Sequence, residues 1–253
     1  MRDAARRDAT RWDAASWAKV PLLGFDTETT GVDVRRDRVV SAALVRRDAT
    51  GSHVRTWLID PGIEIPAAAG AIHGLTTEHV RAHGAEPGPA LDEIADEIAA
   101  ALLGGSALVA YNADFDLAVL DAELERHGRA PLAQRLGGAV RPVLDPMVLD
   151  RMADPTREGG RRLVDLCEHH DVVTGLLHTA DADALATLDV LERVISASPA
   201  LAAAGPQELH DRQAVAVAAW RAAYHARKAA EAAQSVLDAL MALPGSAPVL
   251  TTP

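Results

Sequence analysis

Two carboxylates, Asp26 and Glu28, stand two residues apart where the apolar run 20–25 ends, in Gly24-Phe25-Asp26-Thr27-Glu28-Thr29-Thr30-Gly31. On an extended chain, side chains at i and i+2 point to the same side. Carboxylates held close repel each other and are costly to keep ionised. A cation between them removes that cost, and hard oxygen ligands suit Mg²⁺ or Mn²⁺. The triplet alone carries little, since Asp121-Ala122-Glu123 has the same form and reads as part of an exposed helix face. More acids stand at later element ends. Asp116 follows Tyr111-Asn112-Ala113-Asp114-Phe115, and Asp183 comes five residues after His178. Such ends can converge on one crevice of a sheet-centred domain. Four carboxylates there would be prohibitive without divalent metal. An imidazole at a loop-to-helix junction beside that metal can take a proton from water near neutral pH. Two metal ions about 4 Å apart can activate the water and stabilise the leaving oxygen of a phosphodiester.

The elements that must position these groups follow from periodicity. Apolar runs predict strands over about 20–27, 38–46 and 53–59, with short turns between them that suggest an antiparallel meander. A loop with Pro61-Gly62 and Pro66 leads into Ile72-His73-Gly74-Leu75-Thr76. Leu91, Ile94, Ile98 and Leu102 repeat at helical spacing over 90–103. A short strand at 108–111 runs into a helix carrying Leu117, Leu120 and Leu124. A fifth strand is expected at 143–145, a Gly/Arg-rich loop at 155–162 and a short helix at 163–169. A last helix opens after His178 with Leu185, Leu188 and Leu191 inward. This order predicts an α/β sandwich around a mixed five-stranded sheet. Three parts are expected: a short N-terminal helical segment (1–19) with Trp12 and Trp17, the sheet domain (20–205), and a C-terminal extension (206–253).

Composition narrows the function. The 253 residues carry a formal net charge of −11, with 49% hydrophobic and 24% charged residues. That suits a soluble globular protein and argues against coating nucleic acid by bulk positive charge. Acids and bases balance over 206–253, so the negative charge belongs to the sheet domain. No apolar run is long enough for a membrane span and no secretory signal is visible, so a cytoplasmic location is expected. The single cysteine, Cys167, excludes an intrachain disulfide and reads as a small buried hydrophobe.

The segments Phe25-Asp26-Thr27-Glu28-Thr29-Thr30-Gly31, Tyr111-Asn112-Ala113-Asp114-Phe115-Asp116 and His178-Thr179-Ala180-Asp181-Ala182-Asp183 resemble the three motifs of the DEDDh, or DnaQ-like, 3′→5′ exonuclease superfamily. That superfamily includes the proofreading subunit of the bacterial replicative polymerase. Order and spacing match over about 20–198, and so do the segment around His73, Asp145 after the fifth strand, and 163–167. The resemblance implies an RNase H-like fold and a two-metal mechanism with Mg²⁺ or Mn²⁺. Asp26, Glu28, Asp116 and Asp183 would be the metal ligands and His178 the general base. The product would be a 5′-mononucleotide from a 3′ end. Single-stranded DNA or frayed 3′ ends are the expected substrate, RNA the alternative. Asp114 and Asp181 fall at variable positions and read as solvated.

Other residues carry two readings each. Thr27, Thr29 and Thr30 can present backbone N–H groups and hydroxyls to the terminal nucleotide, or simply form the turn. His73 can contact the substrate, as its family counterpart suggests, or serve the loop. Asn112 can bind substrate or cap the following helix. Phe115 reads as core, His169 and His170 as surface. Arg157, Arg161 and Arg162 can meet phosphates or form a solvated basic loop. A continuous helix over 207–243 would be roughly 55 Å long. Leu209, Val217, Trp220 and Tyr224 form one stripe on it, and Val236, Leu237, Leu240 and Met241 a second patch. The stripe is either packed on the domain or an interface for a protein partner or second copy. A non-catalytic binding module using this helix is the remaining alternative.

Overall fold

The computed structural model describes residues 14–175 and 177–241. Helix α1 (Ala14–Trp17) precedes the strands β1 (Leu22–Thr29), β2 (Val39–Asp48) and β3 (Gly51–Leu58). Helices α2 (Ala67–His73), α3 (Thr77–His83) and α4 (Pro87–Leu103) lead to β4 (Ala107–Val109). Then come α5 (Ala113–Arg126), α6 (Leu132–Leu136), β5 (Val143–Leu144), α7 (Pro146–Ala153), α8 (Leu163–His169), α9 (Ala180–Ala197), α10 (Pro199–Ala202) and α11 (Pro206–Met241). The sheet order is β3-β2-β1-β4-β5. β1 pairs antiparallel with β2 and parallel with β4, so the sheet is mixed as expected. Trp12 lies outside the described residues.

Both faces of the sheet are covered. Leu23, Phe25, Ala42 and Leu44 face α4 and α5, packing with Leu91, Ile94, Ile98, Leu120 and Leu124. Their neighbours Leu22, Ala43 and Val45 face the other way and pack with Ala184, Leu188 and Leu191 of α9. The period of two in β1 and β2 assigns alternate residues to the two cores. Gly24 marks where α9 crosses β1: a Cβ there would come 3.0 Å from Leu188 Cδ1 and 3.2 Å from the Ala184 carbonyl oxygen. Truncating a fully buried leucine such as Leu120 to alanine would cost about 2–5 kcal/mol.

Glu123 departs from the expected exposed helix face. It is fully buried, and its carboxylate accepts a hydrogen bond from Val39 N at 3.3 Å. Arg126 and Arg38 pair with it from either side. Its partner in the triplet, Asp121, accepts from Leu132 N at 3.0 Å. Both acids tie α5 to neighbouring chain.

The stretch between β3 and α4 also holds more structure than a loop. α2 ends at Gly74 in the left-handed region (φ 75°), and the Thr76 side chain caps α3 by accepting from His79 N. At the other edge of the sheet, the first turns of α11, up to Gln213, lie against β5. The Gln213 side chain accepts from Asp145 N at 2.8 Å and donates to the Val143 carbonyl at 2.9 Å. Leu209 is fully buried. The chain divides into two compact units, one ending at Gln213 and the other starting at Ala214. From 214 to 236 the helix residues are exposed or half-buried, Val217 and Trp220 among the half-buried.

Candidate active site

β1, the central strand, delivers Asp26 and Glu28; the first turn of α5 delivers Asp116 and the first turn of α9 delivers Asp183. One carboxylate oxygen each from Asp26, Glu28 and Asp183 lie within 4.8 Å of one another. Asp116 is buried behind them, and its Oδ1 accepts from both the amide and the hydroxyl of Thr27, at 3.0 and 2.6 Å. Burial, followed by Asp116, Asp183 and Glu28, pushes Asp26 well above the usual carboxylate range. Burial, then Asp183 and Asp116, raises Glu28 to about 7. Burial raises Asp116 to about 7 against the opposing Thr27 hydrogen bonds. Asp183 is raised as well, chiefly by burial. Unneutralised acids that resist ionisation are what a divalent cation relieves. An all-oxygen donor set fits Mg²⁺ or Mn²⁺.

His178 is exposed at the mouth of this cluster. Its backbone is left-handed (φ 80°), and its N–H donates to Asp183 Oδ1 at 3.0 Å. A non-glycine residue there marks a constrained position.

The threonine turn is organised by an aspartate that the motif itself does not contain. Thr30 Oγ1 donates to Asp37 Oδ1 at 2.9 Å and accepts from Arg38 N at 3.0 Å. A Cβ on Gly31 would lie 2.5 Å from Asp37 Oδ2, so a side chain there would have to displace the carboxylate that holds the turn. Thr29 Oγ1 donates to the Gly31 carbonyl. All three threonine hydroxyls are thus already bonded within the protein.

His73 is 7% exposed; its Nδ1 accepts from Leu75 N at 3.1 Å. Its Nε2 is buried without a hydrogen-bond partner, and the Thr29 backbone lies beside the ring. Burial holds this imidazole below its ordinary value. Asn112 is exposed with left-handed backbone (φ 55°), and its side chain makes no capping bond to α5. Asp145 supplies what Asn112 does not. It accepts from Ala113 N at the start of α5 and from Met147 N, and burial raises it to about 6.

Three expectations change around α7 and α8. Arg157 and Arg161 neither face solvent nor reach outward; both turn inward onto Asp150. His170 joins them and is not a surface residue (side chain 13% exposed), whereas His169 is exposed. Arg162 is exposed and pairs locally with Asp165. Cys167 is buried, which pushes its thiol up to about 11 and keeps it a hydrophobe. Phe115 packs against the core on the α4/α5 side. Two apolar residues went unnoticed in the sequence, Val32 at 88% and Ile72 at 60% exposure, one following the threonine turn and the other preceding His73. Their adjacency to these motifs was the available signal.

A family model described as Exonuclease (RNase_T) matches residues 23–191, and the chain belongs to that family. It is 33% identical over 195 residues to a DNA polymerase III subunit epsilon-like protein of Rhodobacter capsulatus, covering 74% of this chain and 25% of that protein. It is 29% identical to the PolC-type DNA polymerase III of Halalkalibacterium halodurans, over 70% of this chain and 12% of that one. With the DNA polymerase III subunit epsilon of Treponema pallidum it shares 28% identity over 73% of this chain and 81% of the relative. The chain thus spans a quarter or less of the first two relatives. E. coli exonuclease I in complex with a dT13 oligonucleotide has the same fold, with a TM-score of 0.62 and 22% identity over 72% of this chain and 42% of that one. Among the described residues no helix is long and apolar enough to cross a membrane.

Proposed function

We propose that this exonuclease hydrolyses single-stranded DNA or frayed 3′ ends from the 3′ terminus and releases 5′-mononucleotides. The observation that carries the reading is the meeting of Asp26, Glu28 and Asp183 within 4.8 Å, backed by buried Asp116. These four residues would hold two divalent ions, Mg²⁺ or Mn²⁺. Bound there, the ions would lower the pKa of water and neutralise charge on the scissile phosphate. His178 accepts the proton of the attacking water at its imidazole. A P–O bond forms to that water oxygen, the P–O3′ bond breaks, the departing 3′ oxygen takes a proton from solvent, and the terminal nucleotide leaves with a 5′-phosphate. Thr27 holds Asp116 in place through two bonds to one oxygen. Thr27, Thr29 and Thr30 then act on the terminal nucleotide chiefly by shaping the turn. We assign His73, with its buried ring nitrogen, and Asn112, with its exposed amide, as further substrate-binding groups. Val32 and Ile72 present apolar surface on which a base can pack.

DNA is favoured over RNA because the relatives are DNA polymerase III subunits and the structural neighbour holds a DNA oligonucleotide. The test is degradation of matched 5′-labelled DNA and RNA strands with Mg²⁺, Mn²⁺ or EDTA, beside Asp26→Ala and His178→Ala. The expected result is a metal-dependent ladder shrinking from the 3′ end, faster on DNA and absent in Asp26→Ala. His178→Ala should slow it by roughly 10²–10⁴. Faster loss of RNA would reassign the substrate through its 2′-OH. No ladder with either metal would overturn the reading. Beyond the nuclease, Val217, Trp220 and Tyr224, three and four residues apart on α11, share one helix face and would serve a protein partner or a second copy.

A further inference from the structure

Asp150 lies outside the carboxylate cluster, in α7, and is 3% exposed. Its Oδ2 accepts from Arg161 Nε at 2.8 Å and from Arg157 Nη2 at 3.1 Å, with Arg157 Nε at 3.4 Å. Its Oδ1 meets His170 Nε2 at 3.0 Å. The arrangement is not a cation site, although Asp150, His169 and His170 are close enough to suggest one. Two guanidinium groups already occupy the carboxylate and would repel a metal ion.

The network reaches two catalytic motifs. Arg161 offers its carbonyl to the Tyr111 hydroxyl at 2.6 Å, and Tyr111 precedes Asn112 and the helix that carries Asp116. His170 caps the C-terminus of α8, its N–H bonding the Leu166 carbonyl at 2.9 Å. The chain then turns through Asp171 (φ 53°), with Val172 N on the Cys167 carbonyl, and continues to His178. The described residues on either side of 176 are thereby anchored, 171–175 through His170 to Asp150 and 177–179 through His178 N–H to Asp183. An isolated buried carboxylate would be costly; this one is compensated by two guanidinium groups from the 157–161 loop and by a hydrogen bond with His170 at the end of α8. That expenditure of three side chains on one exposed loop's root calls for a reason beyond stability, because buried ion pairs are weak evidence of stability.

We propose that Asp150 is a positioning residue for the hydrolysis: through His170 it fixes the root of the segment that carries His178, and through Arg161 it fixes Tyr111 beside the Asp116 helix. This rests on His178 being the general base.

The test uses the full chain with Asp150→Asn and, because that change takes the carboxylate charge from two half-buried guanidinium groups, also His170→Ala, which leaves both arginines paired. Amide hydrogen exchange reads the position directly. Exchange over 171–179 should speed at least tenfold in His170→Ala while β1 amides stay unchanged. Equal protection in both proteins would overturn the proposal. The second arm is a double-mutant cycle. His170→Ala should lower kcat about tenfold with KM little altered, since a misplaced group costs rate more than binding. In a His178→Ala background the same change should cost nothing further. Additive losses would show that the effect does not pass through His178 and would also overturn it. A wild-type chain without turnover would strike the exonuclease reading alone, and the exchange arm would still decide whether Asp150 anchors the segment.

Discussion

At the scale of single residues, the site is a set of acids raised by burial and by each other. Their pKa values are raised on folding, so the metal-free native state binds more protons than the unfolded chain between about pH 4.5 and 7, the ordinary and folded values of Glu28. Stability of the metal-free protein from these groups therefore falls as pH rises through that window. Thermal melts in EDTA should show it, and Mg²⁺ should raise Tm more at pH 8 than at pH 5, where the site is largely protonated. Asp26→Asn should abolish turnover yet raise the metal-free Tm at pH 8, by about 2–4 °C for each kcal/mol of repulsion relieved. A lower Tm in that variant would contradict the electrostatic account. That Asp26, Glu28 and Asp183 would meet was legible because each stands at the end of an apolar run or the start of a helix. Asp150 was not: its partners stand 7, 11 and 20 residues along the chain, and no local pattern joins them.

At the scale of elements, the five strands and the long amphipathic helices were legible from apolar period. α2, α3, α6 and α7 were not, because each is eight residues or fewer and begins or ends at Pro or Gly, where turn and helix signals coincide. Glu123 was misplaced for another reason: its pairing with Arg126 three residues on reads as an ordinary exposed helix pair, while the partners that bury it, Arg38 and Val39 N, lie far back in sequence. The start of α11 serves β5 as a surrogate neighbour. Gln213→Ala would leave Asp145 N and the Val143 carbonyl without those bonds. The expected loss is roughly 1–3 kcal/mol, measured by urea unfolding with m unchanged. No change in the unfolding midpoint would mean that other groups satisfy the strand edge.

At the scale of the whole molecule, the nuclease unit and the helix beyond it are separable claims. A chain ending at Gln213 keeps the buried core and all four acids. Its turnover of a short oligonucleotide should stay within about twofold of the full chain. Any concentration-dependent mass seen by sedimentation should vanish with the removed helix; persistence of association would place the interface on the nuclease unit. The layered design also has a sensitive dimension. Gly24 carries no functional group, yet the missing methyl sets how near α9 lies to β1. Asp183 rides on α9, and Asp26 and Glu28 ride on β1, so that interlayer gap is the calliper of the metal site. Gly24→Ala would open it by a few tenths of an ångström. The affinity for Mg²⁺, read by calorimetry, should then weaken before the fold does, making cation selectivity a property of backbone clearance and not of the ligands alone.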